Sequence, residues 1–257
     1  MIKKLSILLS AVLLLLVACD KEDEDTEKKL SPTAAQKGFC LEWTSITCSI
    51  CGSTGGPLLK QFSEEAPNGA MIALHVNQSD SMKIPNSTYW AFSDDRPTGG
   101  GIPKFYVGDD QISTSDVDAM TNLLDQGDAV AGVDIKHEID GSSMKIDTKT
   151  KFFENSTGEY HLSVFVLEDG IDGSDSAPQG YDQAGGGADY KHNFVLRGEA
   201  TDTMGELIAS DPDQNKTVSK SYSINIDPSW DDVYPVAVIW KYDANANIKY
   251  SYVNSIR

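Results

Sequence analysis

An α+β fold in two parts is what this sequence predicts: an α/β unit over residues 37–127 and a β-sandwich over residues 133–257. Three observations predict it. Apolar residues make up 40% of the 257 and charged residues 23%, enough to bury a core, and only the N-terminal stretch is apolar enough to enter a bilayer. Up to Asp125, short apolar runs alternate with helix-like stretches, as when strands and helices take turns. After residue 132 the helical signal stops, and β-branched and aromatic runs follow one another between turn-rich segments.

The chain begins with Lys3 and Lys4 and an apolar run from Leu5 to Val17, short for a membrane span and suited to the core of an export signal. The run ends Leu16-Val17-Ala18-Cys19. That ending resembles the bacterial lipobox. The resemblance implies removal of residues 1–18 and a covalent lipid on Cys19, with outer-membrane lipid as the first partner and no other cofactor. Residues 19–36 open with Asp20, Glu22, Asp23, Glu24 and Asp25, so a disordered acidic tether is expected. A lysine followed by acids after the lipidated cysteine also resembles the surface-export signal of Bacteroidetes lipoproteins. The expected location is the outer membrane, surface-displayed or facing the periplasm.

In the α/β unit, residues 37–45 read as a strand leading to Cys48-Ser49-Ile50-Cys51. Residues 56–65 suit a helix, 71–76 a buried strand, and 104–107 a strand turned by Gly108-Asp109-Asp110 toward Ile112. Ser115 is placed to cap a helix to Leu124, with Val117, Met120, Leu123 and Leu124 on one face. The sandwich is expected to hold strands near 133–140, 143–153, 160–168, 192–197, 219–226, 236–242 and 248–253, an immunoglobulin-like number for that length.

Asp and Glu total 39 against 21 Lys and Arg, a net charge of −18. A nucleic-acid binder needs the opposite balance to displace counterions from phosphates, so that class is excluded. No P-loop, Rossmann or nucleophile-elbow pattern is present.

The chemistry lies in the cysteine pair. A C-x-x-C between a strand and a helix sets the first sulfur near unpaired amides at the positive end of the helix dipole, which favours its thiolate. Glu42, six residues before Cys48, is placed to move the proton of the resolving Cys51. The Gly52-Ser53-Thr54-Gly55-Gly56 run is a poor helix start, so the helix is expected to begin late. Three readings of the pair stay open: a redox-active dithiol, a static disulfide, or a metal site drawing on His75. Cys40 is either a small core residue or a further partner for one of the two.

Together with Gly101-Ile102-Pro103-Lys104-Phe105, these features resemble thioredoxin, whose corresponding segment carries a cis-proline before a strand. The resemblance implies a thioredoxin-like fold for residues 37–127, with Pro103 aligning a substrate chain beside the sulfurs. The lipobox, the stretch FCLEWTSITCSIC and the runs HLSVFVLEDGI and DYKHNFVLRG resemble the Omp28-like outer-membrane lipoproteins of the Bacteroidetes. That resemblance implies a thioredoxin-like region followed by a β-rich domain, and it says little about substrate.

Each single histidine reads first as a strand residue. The long glycine-rich loop from Asp169 to Lys191 is the expected binding surface of the sandwich, with Asp169, Asp172, Asp175 and His192 as its candidate groups. The three acids offer oxygen ligands to calcium, but their order does not follow the EF-hand pattern, so a solvated loop is expected. Tyr89, Trp90 and Phe92 either line a peptide groove near Pro103 or belong to the core. The functional expectation is a lipid-anchored binding or adhesion module on a thioredoxin-like scaffold. The alternative is an envelope thiol–disulfide oxidoreductase acting on proteins or peptides through Cys48, Cys51, Glu42 and Pro103.

Overall fold

The computed structural model describes residues 29–97 and 99–257. The expected export signal, Cys19 and the acidic run after it lie outside the described residues. The architecture is mixed α and β, mostly sheet with few helices.

Strands β1 (Phe39–Thr44), β2 (Ala70–His75), β3 (Lys104–Val107) and β4 (Asp110–Ile112) stand in the order β2-β1-β3-β4. β2 runs parallel to β1, β3 antiparallel to β1, and β4 antiparallel to β3. Every residue of β1 is buried. Alternation along a strand sends Phe39, Leu41 and Trp43 to one face and Cys40, Glu42 and Thr44 to the other. The Cys40 face packs under Leu58, Leu59 and Phe62 of helix α1 (Gly56–Glu65) and under Met120 and Leu123 of a later helix, Ala119–Leu124. The Trp43 face meets Phe92 of helix α2 (Asn86–Asp95) and a second group of strands. The helix at Ala119–Leu124 is α3; it starts later than the Ser115 cap predicts.

Helix α2 is the element the sequence hides. Tyr89 and Phe92 stand three apart on one face but Trp90 falls off it, too few apolar residues for a helical pattern in a segment rich in Ser, Thr and Asp. Phe92 is fully buried against Trp43 and Phe165, whereas Trp90 is 60% exposed, so the three do not share one groove wall.

The C-terminal strands form two layers. β5 (Ala131–Asp140) and β6 (Ser143–Phe152) pair as a hairpin, and a later strand, Thr217–Asn225, adds to β6. The facing layer is built on β7 (Glu159–Asp169) and strand Asp232–Tyr242, both buried on two sides. Leu162, Val164 and Val166 of β7 pack against Val133, Ile135, Met144 and Ile146 from the hairpin. Phe165 and Leu167 point the other way and join the Trp43 cluster. Numbered in order, the remaining strands are β8 (Ile171–Asp172), β9 (Lys191–His192), β10 (Val195–Glu199), β11 (Glu206–Ser210), β12 (Thr217–Asn225), β13 (Asp232–Tyr242) and β14 (Tyr250–Ile256).

The two parts share a sheet. β10 pairs with β7 on one side and runs parallel to β2 on the other, through Val195 opposite Ala73 and a 2.8 Å bond from the Ala73 amide to the Phe194 carbonyl. One nine-stranded sheet therefore runs β14-β13-β7-β10-β2-β1-β3-β4, with β11 attached to β7. Two expectations change here. The strand foreseen at 192–197 is broken, because Phe194 takes a left-handed φ of 60° between β9 and β10. The last residues of the foreseen tether are docked: the Ser31 amide bonds the Asp134 carboxylate at 2.7 Å, and the Ala34 carbonyl accepts from Ala129 at 2.7 Å.

Candidate active site

Strand β1 delivers Glu42 and Thr44 beneath α1, and the chain then turns at Ser45-Ile46-Thr47 into the cysteine pair. Cys48 and Cys51 form a disulfide with Cα atoms 5.2 Å apart. Cys48 is half-buried, Cys51 is buried, and Ile50 between them is 57% exposed. Helical structure begins at Ser49, passes through a π-turn at Cys51–Gly55 and continues as α1. The Cys51 amide points at Cys48 Sγ from 3.1 Å, where an N-cap side chain would accept, and the Gly52 amide bonds the Cys48 carbonyl at 3.2 Å. The regular α-helix begins at Gly56, as foreseen, and irregular helical turns from Ser49 to Gly55 precede it, with Cys48 at their head.

The glycines explain how. A methyl group on Gly55 would strike Glu42 Oε1, one on Gly52 the Ala184 carbonyl, and one on Gly56 the Tyr190 hydroxyl. Lacking side chains, they let the first turns lie directly on the carboxyl group below and on the loop at residues 173–190 beside them.

Pro103 follows a cis peptide bond, and the Ile102 carbonyl lies 3.7 Å from Cys48 Sγ. A methyl on Gly55 would stand 3.4 Å from Pro103 Cβ as well as against Glu42, so carboxyl, proline and dithiol helix meet at one point. Glu42 is 2% exposed and its Oε1 has no hydrogen-bond partner. Burial pushes its carboxyl up to about 8, against a smaller downward pull from the Thr44 hydrogen bond. The four residues assigned from sequence, Glu42, Cys48, Cys51 and Pro103, stand together.

The loop at 173–190 holds the other side. Gln183, 3% exposed, donates from Nε2 toward the carbonyls of Ser45, Ile46 and Cys48 at 3.0–3.3 Å, and the Ala184 amide bonds the Ile46 carbonyl at 2.7 Å. Between this loop and α1 opens a cleft of about 790 Å³, lined by Glu42, Thr44, Gly56, His75, Tyr190 and His192 among others. His75 Nδ1 sits 2.7 Å from Asp80 Oδ2, and His192 Nε2 lies 2.7 Å from the Tyr181 carbonyl. Burial and the neighbouring His75 bring His192 down to about 4, so its ring is neutral near pH 7. Burial raises the Asp80 carboxyl, but the His75 bond and charge and the amides of Ile46 and Met82 outweigh it and hold it below its ordinary value.

The loop candidates separate. Asp169 accepts from the Phe194 amide, Tyr234 hydroxyl and Arg257, bracing the fold instead of presenting itself. Asp172 takes Lys191 at 3.1 Å, Asp175 is exposed, and His192 is buried in the cleft wall. The three acids are not brought together as a metal-binding group. Cys40 is buried and unpaired, its thiol pushed up by burial and then by Glu42. Sequence reasoning missed Gln183, Tyr190, Asp80 and Thr44; only the Gly185-Gly186-Gly187 run hinted at the loop's close approach.

The sequence model of one family, described as outer membrane protein Omp28, matches residues 104–254. Among solved structures, the chain resembles HBP35 of Porphyromonas gingivalis with a TM-score of 0.67 at 16% identity, covering 88% of this chain and 75% of that one. At such identity the likeness is one of fold. No curated protein matches the chain.

Proposed function

The chain belongs to the Omp28 family of outer membrane proteins, and from that premise we propose that it is a lipid-anchored envelope protein carrying out thiol–disulfide exchange at Cys48 and Cys51. The carrying observation is the buried Glu42 carboxyl, its Oε1 without a partner, set against the helix turn that holds Cys51, with Cys48 half-exposed above it. The order β2-β1-β3-β4, with helices over the Glu42 face, supports a thioredoxin-like reading of residues 37–127.

In the oxidising direction, a client thiolate attacks Cys48 Sγ and forms a mixed disulfide, and the Cys48–Cys51 bond breaks. Its electron pair leaves on Cys51, and Glu42, protonated near pH 7, supplies the proton. A second client thiolate then displaces Cys48, so the client is oxidised by two electrons and the dithiol is reduced. In reverse, the Cys48 thiolate attacks a client disulfide, and ionised Glu42 takes the Cys51 proton so that Cys51 can resolve the intermediate. The Cys51 amide near Cys48 Sγ stabilises negative charge on that sulfur.

The test is insulin reduction with the reduced chain, and trapping of client mixed disulfides by Cys51→Ser. The expected result is activity in the wild type, none in Cys48→Ser, and a trapped adduct on Cys48. A second reading, a noncatalytic binding or adhesion module, is favoured by the family match lying past the dithiol, over residues 104–254. A wild type that exchanges with no disulfide leaves that reading standing.

A further inference from the structure

Glu42 is 2% exposed, so a proton that it collects needs a way out of the core. We propose that His75, its ring oriented by Asp80, passes the Glu42 proton to solvent through the cleft behind the dithiol helix. This rests on the thiol–disulfide reading and adds a positioning and relay residue to it.

Four observations lead there. Thr44 shares the Glu42 face of β1, two residues along the same strand. His75 is the direct partner of Thr44 on the parallel neighbour β2, so both side chains leave the same face of the sheet. Glu42, Thr44 and His75 line one cleft of about 790 Å³ that opens to solvent, a volume large enough to hold water. His75 Nδ1 bonds Asp80 Oδ2 at 2.7 Å, with both side chains buried, and Asp80 is itself pinned by the amides of Ile46 and Met82. The Nδ1 nitrogen therefore carries the hydrogen, and Nε2 is the nitrogen left to exchange protons.

The charged and titratable groups around the ring come from each element packed against it. Asp80 belongs to the turn after β2, and His192 meets the ring edge-on at 5.2 Å. Tyr190, Asp189 and Lys191 enter from the loop, and Lys60 and Glu64 of α1 stand on the cleft wall. His192 stays neutral above about pH 4, so it does not compete for the proton in the working range.

The measurement is the lifetime of the mixed disulfide between the reduced full chain and a peptide disulfide, acid-quenched and read by mass spectrometry across pH 5–9. His75→Gln is expected to slow resolution by Cys51 about tenfold or more without changing the first attack by Cys48, and added imidazole is expected to restore the rate. Asp80→Asn should slow it less. A merely structural role predicts no rescue by imidazole and overturns the proposal. So does a His75→Gln rate equal to wild type. If Glu42→Gln slows resolution while His75→Gln does not, the relay falls and the base survives; if Glu42→Gln changes nothing, the base itself falls. Should His75→Gln fail to fold, the unmodified chain decides: an internal relay makes its rate independent of imidazole, and a rate that climbs with imidazole refutes the relay.

Discussion

Glu42 and His192 are buried in the wall of the same cleft, and they make stability depend on pH with opposite sign. The Glu42 carboxyl sits at about 8 when folded, so the folded chain holds a proton that the unfolded chain has released above its ordinary value of 4.5. Stability from this group therefore falls as pH rises from about 4.5 to 8, by about 1.4 kcal/mol per pH unit. Glu42→Gln should remove that slope, measured by urea denaturation at pH 5 and 8, and be the more stable protein at pH 8. His192 sits at about 4 against an ordinary 6.5, so its contribution is lost as pH falls from 6.5 toward 4. His192→Asn should flatten the acid side in the same titration. Spacing reached Glu42, Cys48 and Cys51, which share one short segment, and the resemblance to thioredoxin reached Pro103 through its Gly-Ile-Pro run. Asp80 and Tyr190 were illegible, since what gives them meaning is a contact with a ring or a glycine that tertiary folding alone creates.

The dithiol helix shows how far a local rule reaches: α1 does begin at Gly56. Glycines lower helix propensity by about 1 kcal/mol each, and that rule placed the start after Gly55. What the rule misses is the irregular turns from Ser49 to Gly55, where contact with Glu42 and Ala184 needs bare backbone, as contact with Tyr190 does at Gly56, because a helix and a loop approach so closely. Gly55→Ala should therefore destabilise the chain despite its better propensity, and should lower the midpoint in thermal unfolding. The strap at 173–190 is held by one side chain in particular. Gln183→Ala removes an amide within reach of four carbonyls and should cost about 2 kcal/mol, with faster proteolytic nicking between residues 173 and 190 as the readout. Long strands such as β7 and β13 were legible because their apolar runs are unbroken. β11, with only Ile208 in the core, and α2, with a single deeply buried anchor, left too faint a pattern.

Across the whole molecule, Arg96 joins what composition divided. Fully buried, its guanidinium bonds Asp95, Asp109 at 2.8 Å and the Tyr250 carbonyl at 3.0 Å, and lies 4.8 Å from the Trp240 ring. Asp95 in turn accepts from the amides of Lys249 and Tyr250, and Asp109 from Tyr252, so the first half grips β14 through buried charge. Arg96→Leu strands two carboxylates and should cost about 3–5 kcal/mol by denaturant melt, in one transition and not two, because the sheet is continuous. Where β14 ends, Ser255 Oγ bonds the Gly38 carbonyl at 2.7 Å and the Arg257 amide bonds that of Asn68 at 3.1 Å, stitching the final residues to the roots of β1 and β2. Gly38 and Ser255 lie 217 positions apart, so closing this seam fixes a very long loop, and slow non-local pairing governs how fast the sheet assembles.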